Sequence, residues 1–206
     1  GIKPISVQVT EDTLAEPVTD YARYKLECER HLAANHAGME YVFVRPATIC
    51  GYAPRLRLDL SVNILTINAL MNRKIKIFGG EQLRPNLNIR DMVRAYEFML
   101  DAPTSQVNGQ AFNVANQNMS INQLAQTVKR VLNDNQIGFE VVPTDDLRSY
   151  HVNSEKIQRS LGFKFEHSIE DAIRSIEKAY KKGSIIDGLT NPIYHNIKQM
   201  QLVGLK

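Results

Sequence analysis

An apolar run at Glu40–Val44 constrains the fold of this chain more than any other segment. It reads Glu-Tyr-Val-Phe-Val and ends at Arg45-Pro46. β-Branched and aromatic residues favour strands, and a strand that is apolar on both faces is typical of a parallel sheet covered by helices. A helical pattern precedes this run and another follows it. The sequence therefore predicts an α/β fold.

Helices and strands alternate along the rest of the chain. Pro17-Val18-Thr19-Asp20 has helix-start chemistry, with Thr19 or Asp20 as the N-cap of a helix to about Asn35. Ser120-Ile121-Asn122-Gln123 is a capping box that opens a helix to about Leu132. Further helices are predicted over 60–72, from Asp91 or Arg90 to Leu100, and from about Ser154 and Ser168; further strands are predicted over 74–78, at Leu87 and Ile89, and over 111–115 and 139–142. Residues 1–18 and the tail after Gly183 are predicted to be irregular.

The composition excludes several classes of protein. The chain has 206 residues, of which 43% are hydrophobic and 23% are charged, an ordinary globular balance. The net charge of +3 comes from dispersed basic residues, which does not indicate a nucleic-acid-binding protein. No apolar run has the length of a membrane span. The two cysteines, Cys28 and Cys50, form no disulfide or metal pattern, so we expect a reducing, cytoplasmic location.

Tyr21 and Lys25 stand four residues apart in the first predicted helix. At this spacing two side chains lie on the same helix face, so the ammonium of Lys25 can approach the phenol of Tyr21. A nearby cation favours a phenolate, which can take a proton from an alcohol as a hydride leaves the same carbon. The motif alone is weak, because a solvated helix face is the commoner explanation. Tyr194 and Lys198 repeat it in an Asn-rich tail.

The segment after the apolar run, Ala47-Thr48-Ile49-Cys50-Gly51-Tyr52, is a candidate wall of a binding site. Ligands of open α/β sheets bind at the carboxyl ends of the strands. Asp91 is explained as well by a helix cap as by a functional role. The five histidines show no metal-ligand spacing, and we predict no metal site.

Four stretches stand in a fixed order along the chain. They are Tyr21-x-x-x-Lys25; Val44-Arg45-Pro46-Ala47-Thr48-Ile49-Cys50-Gly51; Gly79-Gly80-x-x-x-Arg84-x-x-x-Asn88-Ile89-Arg90-Asp91; and Arg148-Ser149-Tyr150-x-Val152-x-x-x-Lys156-Ile157-x-x-x-Leu161-Gly162-Phe163. Together they resemble the C-terminal part of an extended short-chain dehydrogenase/reductase, in the branch of NAD-dependent sugar-nucleotide epimerases and dehydratases. The resemblance covers the chain from Gly1 to about Tyr180.

The resemblance implies a role for each matching residue. Tyr21 would be the catalytic acid and base, and Lys25 would tune it and bond the nicotinamide ribose. The nicotinamide carboxamide of NAD, or of NADP, would be held by Pro46, Ala47, Thr48 and Ile49, largely through their backbone groups. The substrate, a nucleotide-diphosphate sugar, would contact Asn63, and Arg84 and Arg148 would clamp its diphosphate. Arginine suits that task because its planar fork donates two charge-assisted bonds to phosphate oxygens.

The resemblance also implies an architecture. It is the C-terminal part of a doubly wound, Rossmann-like parallel sheet with a smaller α/β substrate-binding lobe. Residues 1–52 would end the dinucleotide-binding domain and carry the catalytic helix, and residues 53–206 would form mainly the substrate-binding lobe, interleaved with the last Rossmann elements. A homodimer would form through the helices at 20–35 and 60–72.

This sequence departs from the family pattern in several places. It has no glycine-rich phosphate loop after a first strand, no acidic residue for the adenosine ribose and no Ser or Thr to complete the catalytic triad. Asn88 stands where the family often has His, and Cys50 stands where it often has Tyr. We therefore expect the N-terminal cofactor-binding half to be absent from this chain, and the 206 residues alone to be inactive.

Non-functional explanations of single residues and two other functions of the protein stay open at this point. Arg84 and Arg148 can be surface arginines, Asn63 can be an ordinary polar residue of a helix, and the side chain of Thr48 is uninformative if only its backbone binds. The protein can be a related reductase of a steroid- or flavonoid-like alcohol, which needs no diphosphate clamp. It can also be a non-catalytic remnant that binds a partner through an exposed sheet edge.

Overall fold

The computed structural model describes residues 8–145 and 149–204, and it is an α/β structure. Its helices are α1 (Asp20–Asn35), α2 (Ser61–Asn72), α3 (Ile89–Asp101), α4 (Thr104–Val107), α5 (Ile121–Leu132), α6 (Glu155–Leu161), α7 (Ile169–Lys181) and α8 (Asn196–Leu202), with a 3₁₀ turn at Pro192–Tyr194. Its strands are β1 (Gln8–Val9), β2 (Val42–Pro46), β3 (Thr48–Cys50), β4 (Lys74–Phe78), β5 (Leu83–Asn88), β6 (Gln110–Val114), β7 (Gln117–Ser120), β8 (Gly138–Val142) and β9 (His151–Val152).

The strand pairs are mainly parallel, as the apolar run predicts. β2 pairs with β6 over its whole length, from Val42 opposite Gln110 to Pro46 opposite Val114. The other parallel pairs are β4 with β8, β3 with β5, and β1 with β9, whereas β7 runs antiparallel to β5. Within the described residues β2 has no strand partner on its second edge. The chain passes from β2 to β3 through Ala47 alone.

Three apolar clusters hold these elements together. The first lies where α2, α5 and α7 cover β4, and it contains Cys50 at the end of β3. The second joins β5 and β6 to α3 and α6 around Phe112 and Phe163. The third packs the far ends of α2 and α7 against the chain that precedes α2. Because α2 is enclosed by α5 and α7, six of its twelve residues are buried, and it offers little surface for the dimer predicted through it.

Most predicted elements are confirmed within a residue or two. α1 spans the predicted range with Thr19 as its N-cap, and α5 begins with the predicted capping box. α6 and α7 follow Ser154 and Ser168, which are their N-caps. β4 alternates exposed and buried residues, as a half-exposed strand should.

Other predictions are wrong at the level of single elements. The tail after Gly183 is not irregular, since it forms the 3₁₀ turn and α8. Thr48–Cys50, within the candidate site wall, forms the short strand β3, which was not predicted; its backbone pairs with Asn86–Asn88. β2 continues through Arg45 and Pro46, which pair with β6. β7 has no counterpart among the predicted strands.

The start of α3 is also corrected. Asn88, not Asp91 or Arg90, is its N-cap, and its side-chain oxygen accepts from the Arg90 amide. Asp91 is fully buried; its carboxylate accepts from the backbone amides of Glu166 and His167 and pairs with Arg94. Asp91 is therefore an anchor between α3 and the chain before α7. A buried carboxylate needs such partners.

β5 is longer than the predicted strand because Pro85 is accommodated inside it. Proline lacks an N–H and is usually confined to edge strands. β7 pairs with residues 83–86 and β3 pairs only with 86–88, so Pro85 has a strand on one side only. The extension matters for function because it places Arg84 within a strand.

Candidate active site

Tyr21 and Lys25 lie side by side in the first two turns of α1. The helix begins there because Thr19 is extended and its hydroxyl accepts from the Ala22 amide at 3.2 Å. The Lys25 Nζ lies 5.8 Å from the centre of the Tyr21 ring. Tyr21 is 74% exposed, so its phenol is open to a ligand. The spacing prediction for this pair is confirmed in geometry.

Both side chains face a groove of about 360 Å³. One wall is α1, and the opposite wall is the segment that runs from β1 towards the helix. The surface of its lining is largely apolar, and its polar or charged members besides Tyr21 and Lys25 are Thr10, Thr13, Glu16, Glu29, Arg45, Asn113 and Tyr150. A general acid–base group needs an accessible reacting atom beside a surface that excludes water, and this groove offers both.

α1 is attached to the sheet by one ion pair and a narrow contact. None of its residues is buried, and its half-buried row is Ala22, Leu26, Glu29 and Leu32. Glu29 accepts from Arg45 of β2, with Nε 3.0 Å from Oε1, and Arg45 also donates to the Glu11 carbonyl at 3.1 Å. The bond to Glu29 raises the pKa of Arg45. Arg45 therefore fixes α1 and the loop at 11 to the strand end.

The four residues predicted to hold the nicotinamide follow directly after Arg45. Pro46 is exposed and ends β2, and the Ala47 amide donates to the Val114 carbonyl at 2.9 Å. Ala47 and Ile49 pack their side chains onto the second apolar cluster. The structure thus places this segment at the carboxyl end of β2, beside the arginine that lines the groove. Their contact with a nicotinamide stays a prediction.

Asn63 is buried on α2, where its side chain bonds the backbone of neighbouring segments. It is 2% exposed, its Oδ1 accepts from the Gly51 amide at 3.0 Å, and its Nδ2 donates to the Arg57 carbonyl at 2.8 Å. These bonds join α2 to the end of β3 and to the loop before α2. The described structure therefore gives Asn63 a local bracing role, and its contact with a sugar nucleotide stays a prediction.

Arg84 lines a second cavity of about 340 Å³. Its Nη1 donates to the Leu83 carbonyl at 3.1 Å. Lys76 of β4 also lines this cavity, so two cations face the same space, together with the polar side chains of Ser61, Asn68, Gln82 and Thr144. Two cations and several hydroxyl and amide groups can bind phosphate oxygens.

Arg148 lies outside the described residues, but its neighbour Ser149 does not. The Ser149 hydroxyl accepts from the Leu83 amide at 3.0 Å. In the sequence, Leu83 precedes Arg84 and Ser149 follows Arg148. This bond therefore joins the sequence neighbours of the two predicted clamp arginines, although the bonded residues are 66 positions apart. Tyr150, one residue further on, lines the groove of Tyr21 and Lys25.

The chain from Thr144 to Tyr150 links the two spaces. Thr144 lines the cavity of Arg84, and Tyr150 lines the groove of α1. Six residues of chain span at most about 20 Å. A ligand of nucleotide-sugar length can therefore extend from one space towards the other.

Among the described residues, Asp59 is the one carboxylate in the lining of the Arg84 cavity. Burial would raise its pKa, but bonds from the Arg57 guanidinium and the Asn196 amide outweigh burial and lower it. The Asp59 charge is therefore compensated within the protein, which reduces its repulsion of a bound anion.

Sequence reasoning missed three residues that line these spaces: Arg45, Lys76 and Tyr150. Lys76 had a signal, since its alternation in β4 predicts an exposed side chain. Arg45 and Tyr150 lie inside the quoted motif stretches, but nothing in their spacing indicates that they meet at α1.

The second Tyr-x-x-x-Lys pair is not a copy of the first. Tyr194 belongs to the 3₁₀ turn and Lys198 to α8. His195 between them is extended, with φ −128° and ψ 105°, so the two side chains do not share a helix face. Tyr and Lys at this spacing thus lie on one face only where both belong to the same continuous helix.

Metal-binding clusters and membrane-spanning helices are both absent from the described residues. They contain no group of three or more His, Cys, Asp or Glu side chains that could hold a metal ion. None of the helices in the described part of the chain combines the length and apolarity that crossing a membrane requires.

Comparison with known families gives a match over more than half of the chain. Residues 2–115 match the model of the family described as NAD dependent epimerase/dehydratase family. These residues include Tyr21, Lys25, Asn63 and Arg84.

The fold is similar to crystal structures of nucleotide-sugar enzymes. The dTDP-glucose 4,6-dehydratase of Bacillus anthracis, in complex with NAD, superposes with a TM-score of 0.76 at 17% identity, over 92% of this chain and 61% of that one. The UDP-glucuronic acid 4-epimerase of Bacillus cereus, with UDP-glucuronic acid and NAD, gives 0.76 at 22% identity, over 88% and 58%. The UDP-glucose 4-epimerase of Thermotoga maritima, with UDP-glucose, gives 0.73 at 24% identity, over 88% and 59%. The chain thus spans about three fifths of their length.

Proposed function

Because this chain belongs to the NAD-dependent epimerase/dehydratase family, we propose that it serves an enzyme that epimerises or dehydrates a nucleotide-diphosphate sugar through a keto intermediate. The observation that carries the proposal is the Tyr21/Lys25 pair, which lies on one face of α1 and opens into one groove. The solved structures that share its fold support the same choice of chemistry, since they are named as such dehydratases and epimerases.

In this mechanism Tyr21 moves the proton. Its phenolate takes the proton from a sugar hydroxyl when that carbon is oxidised to the ketone, and the phenol returns it when the ketone is reduced. Lys25 stabilises the phenolate by its charge. The apolar groove lining excludes water from the reacting carbon.

The cofactor would be NAD, which when bound accepts the hydride from the sugar carbon and gives it back. The residues present fit the nicotinamide-ribose end of that molecule. Lys25 makes no hydrogen bond or ion pair with another described side chain, so its ammonium is available to ribose hydroxyls, and Pro46–Ile49 follow the groove-lining Arg45. The adenosine end has no matching residues in this sequence. Gly79-Gly80, its one pair of adjacent glycines, packs against Gln82 and Asn122 instead.

The diphosphate of the substrate would occupy the cavity of Arg84. Arg84 and Lys76 supply cations there, and Leu83, next to Arg84, bonds Ser149, the sequence neighbour of Arg148. With the diphosphate held in that cavity, the sugar would extend towards Tyr150 and Tyr21. The reductase alternative needs no such pair of arginines. A test of the diphosphate clamp therefore distinguishes the two proposed functions.

Calorimetry with UDP- and dTDP-sugars tests the clamp, using protein purified at its full encoded length. Arg84→Ala and Arg148→Ala should each weaken binding by roughly 1.5–3 kcal/mol, the range for hydrogen bonds to charged groups. The double variant should lose less than the sum, because both arginines share one ligand. NAD affinity should hardly change.

Arg130→Ala is the matched control. Arg130 is an exposed arginine that pairs with Glu170 and lines neither space, so its loss should leave sugar-nucleotide affinity unchanged. If both single clamp variants also bind normally, the clamp is wrong and the reductase of a non-nucleotide alcohol becomes the better hypothesis.

We also propose a cytoplasmic homodimer. Both cysteines are free, Cys28 exposed and Cys50 buried, which suits a reducing compartment. The exposed flank of α1 is a better dimer surface than α2, which is packed inside. Sedimentation of the full-length protein at micromolar concentration tests the dimer, and monomers alone would refute it.

A further inference from the structure

A third cleft, of about 680 Å³, lies apart from the two spaces already described. Its walls are the start of α3, one face of α7, and Tyr52 after β3. It shares no lining residue with the groove of Tyr21 or with the cavity of Arg84. Its volume lies within the usual range of small-molecule sites.

The cleft carries an excess of positive charge. Its lining contains four permanent cations, Arg90, Arg174, Lys178 and Lys182, against two carboxylates. Both carboxylates have partners in the protein. Glu166 pairs with Arg94, and Asp171 accepts from the Ser168 hydroxyl at 2.8 Å and pairs with Arg174. The field in the cleft therefore favours an anion.

Three of the cations form one row on α7. Arg174, Lys178 and Lys182 are spaced by four residues, so they lie one above the other along about 12 Å of helix face. Like charges at this spacing repel. Elsewhere on the same helix the charges are paired at close range, Glu170 with Arg130 and Glu177 with Lys181. Within the described residues, the side chains of Lys178, Lys182 and Arg90 have no such partner.

The walls of the cleft are joined by hydrogen bonds between separate elements. The Asn88 side chain donates to the Ser168 carbonyl at 2.9 Å, and the Tyr52 amide donates to the Ser175 hydroxyl at 2.9 Å. Asp91 holds the amides of Glu166 and His167. Binding would therefore not require the walls to be ordered first, which lowers its entropic cost.

We propose that this cleft is a second binding site, for a small molecule that carries two or more phosphoryl groups. A row of three cations with Arg90 across the cleft matches several negative charges along one ligand, and arginine and lysine are the usual phosphate-binding side chains. Tyr52, 39% exposed, adds an aromatic surface to the same cleft. The site is independent of the proposed sugar-nucleotide site.

Calorimetry with inorganic tripolyphosphate at moderate salt tests the proposal on the full-length protein. Wild-type protein should bind it, and Lys178→Gln/Lys182→Gln should bind about tenfold or more weakly. Lys181→Gln is the matched control, since Lys181 is on the same helix but pairs with Glu177 outside the cleft. It should bind like the wild type. Circular dichroism should give all variants the same melting temperature within a few degrees.

Four results would overturn the site. Absence of tripolyphosphate binding to wild-type protein at millimolar concentration would do so. Equal losses in Lys181→Gln and in the double variant would mean a diffuse surface charge. Loss of binding in Arg84→Ala, with Lys178→Gln/Lys182→Gln normal, would place the ligand in the sugar-nucleotide cavity. Binding to vesicles of anionic lipid without binding to tripolyphosphate would also refute the small-molecule site.

Discussion

α1 and α7 are two helices that each present a row of polar side chains to a cleft, but the chain supports them very differently. α7 buries five of its thirteen residues, and they reach two apolar clusters. α1 has sixteen residues and buries none. Its position depends on one half-buried row and on the Arg45–Glu29 ion pair.

This difference in burial shows that a helix can carry reactive side chains without being tightly packed against the rest of the protein. Catalytic geometry requires side chains held within a fraction of an ångström by packed neighbours. The backbone that carries the α7 row is held by its buried back, although the row's side chains are themselves exposed. The Tyr21/Lys25 pair, with the chemistry proposed for it, lies on a helix that buries no residue. We therefore expect substitutions on the exposed face of α1 to lower activity, and substitutions on the buried face of α7 to lower the free energy of unfolding.

The largest effect is expected from Tyr21→Phe. Removing one hydroxyl deletes the proton carrier with almost no change in volume, and general acid–base groups contribute about 10²–10⁴-fold in rate. The turnover of the full-length enzyme with its sugar nucleotide should fall by that factor, with an unchanged melting temperature.

Tyr194→Phe is the control for this change. It alters the tyrosine of the second Tyr-x-x-x-Lys, whose backbone is interrupted at His195. Its turnover should match that of the wild type. A Tyr21→Phe enzyme with full kcat would remove Tyr21 from the reaction.

The next largest effect concerns stability. Ile173 on the back of α7 is fully buried, so Ile173→Ala should cost about 2–5 kcal/mol of unfolding free energy in urea denaturation. Leu26→Ala removes a similar side chain from the half-buried row of α1 and should cost clearly less, about 1 kcal/mol. Equal losses in the 206-residue chain would contradict the difference in support between the two helices.

Short-range sequence signals were sufficient to predict most helices and strands. The N-cap at Thr19 and the capping boxes at Ser120 and Ser168 all rest on side-chain bonds within four residues. Such bonds are encoded locally, so spacing predicts them. The Tyr21/Lys25 contact is of the same kind, because one turn of helix creates it.

Features that depend on distant parts of the chain were missed or misjudged. Asp91 resembles a helix cap in sequence, but the amides of Glu166 and His167 claim its carboxylate. The hydrogen bonds of Asn63 to Gly51 and Arg57 were likewise not predicted, and its contact with a sugar nucleotide stays a prediction. In both cases the partner lies on another element, and no local pattern identifies it. The basic cleft escaped for the same reason, because Arg90 meets the α7 row only through tertiary packing.

A smaller effect is expected from the ion pair that attaches α1. Glu29→Gln keeps a hydrogen-bond acceptor but removes the charge opposite Arg45, so it should lower the unfolding free energy by about 1 kcal/mol or less. Glu27→Gln is its control, on the same helix and exposed. If urea midpoints of the two variants coincide, the Arg45–Glu29 pair does not attach the helix.

The smallest effect concerns the first turn of α7. The Ser168 amide and hydroxyl bond Asp171, and these bonds, with Arg174 nearby, lower the pKa of its carboxyl. A lowered folded-state pKa means that the charge stabilises the fold above the unfolded-state pKa of about 4, and that this contribution is lost as the pH falls through the folded value.

Asp171→Asn keeps the acceptor but not the charge, so at pH 7 it should cost only a few tenths of a kcal/mol at this exposed site. Urea midpoints of wild type and variant should therefore differ slightly at pH 7 and 5 and converge below about pH 4. In a Ser168→Ala background the hydroxyl donor is gone although the backbone amide remains, so Asp171→Asn should shift the midpoint less than it does in the wild type. A difference between Asp171→Asn and wild type that grows on acidification would show that the carboxyl is not held by its cap.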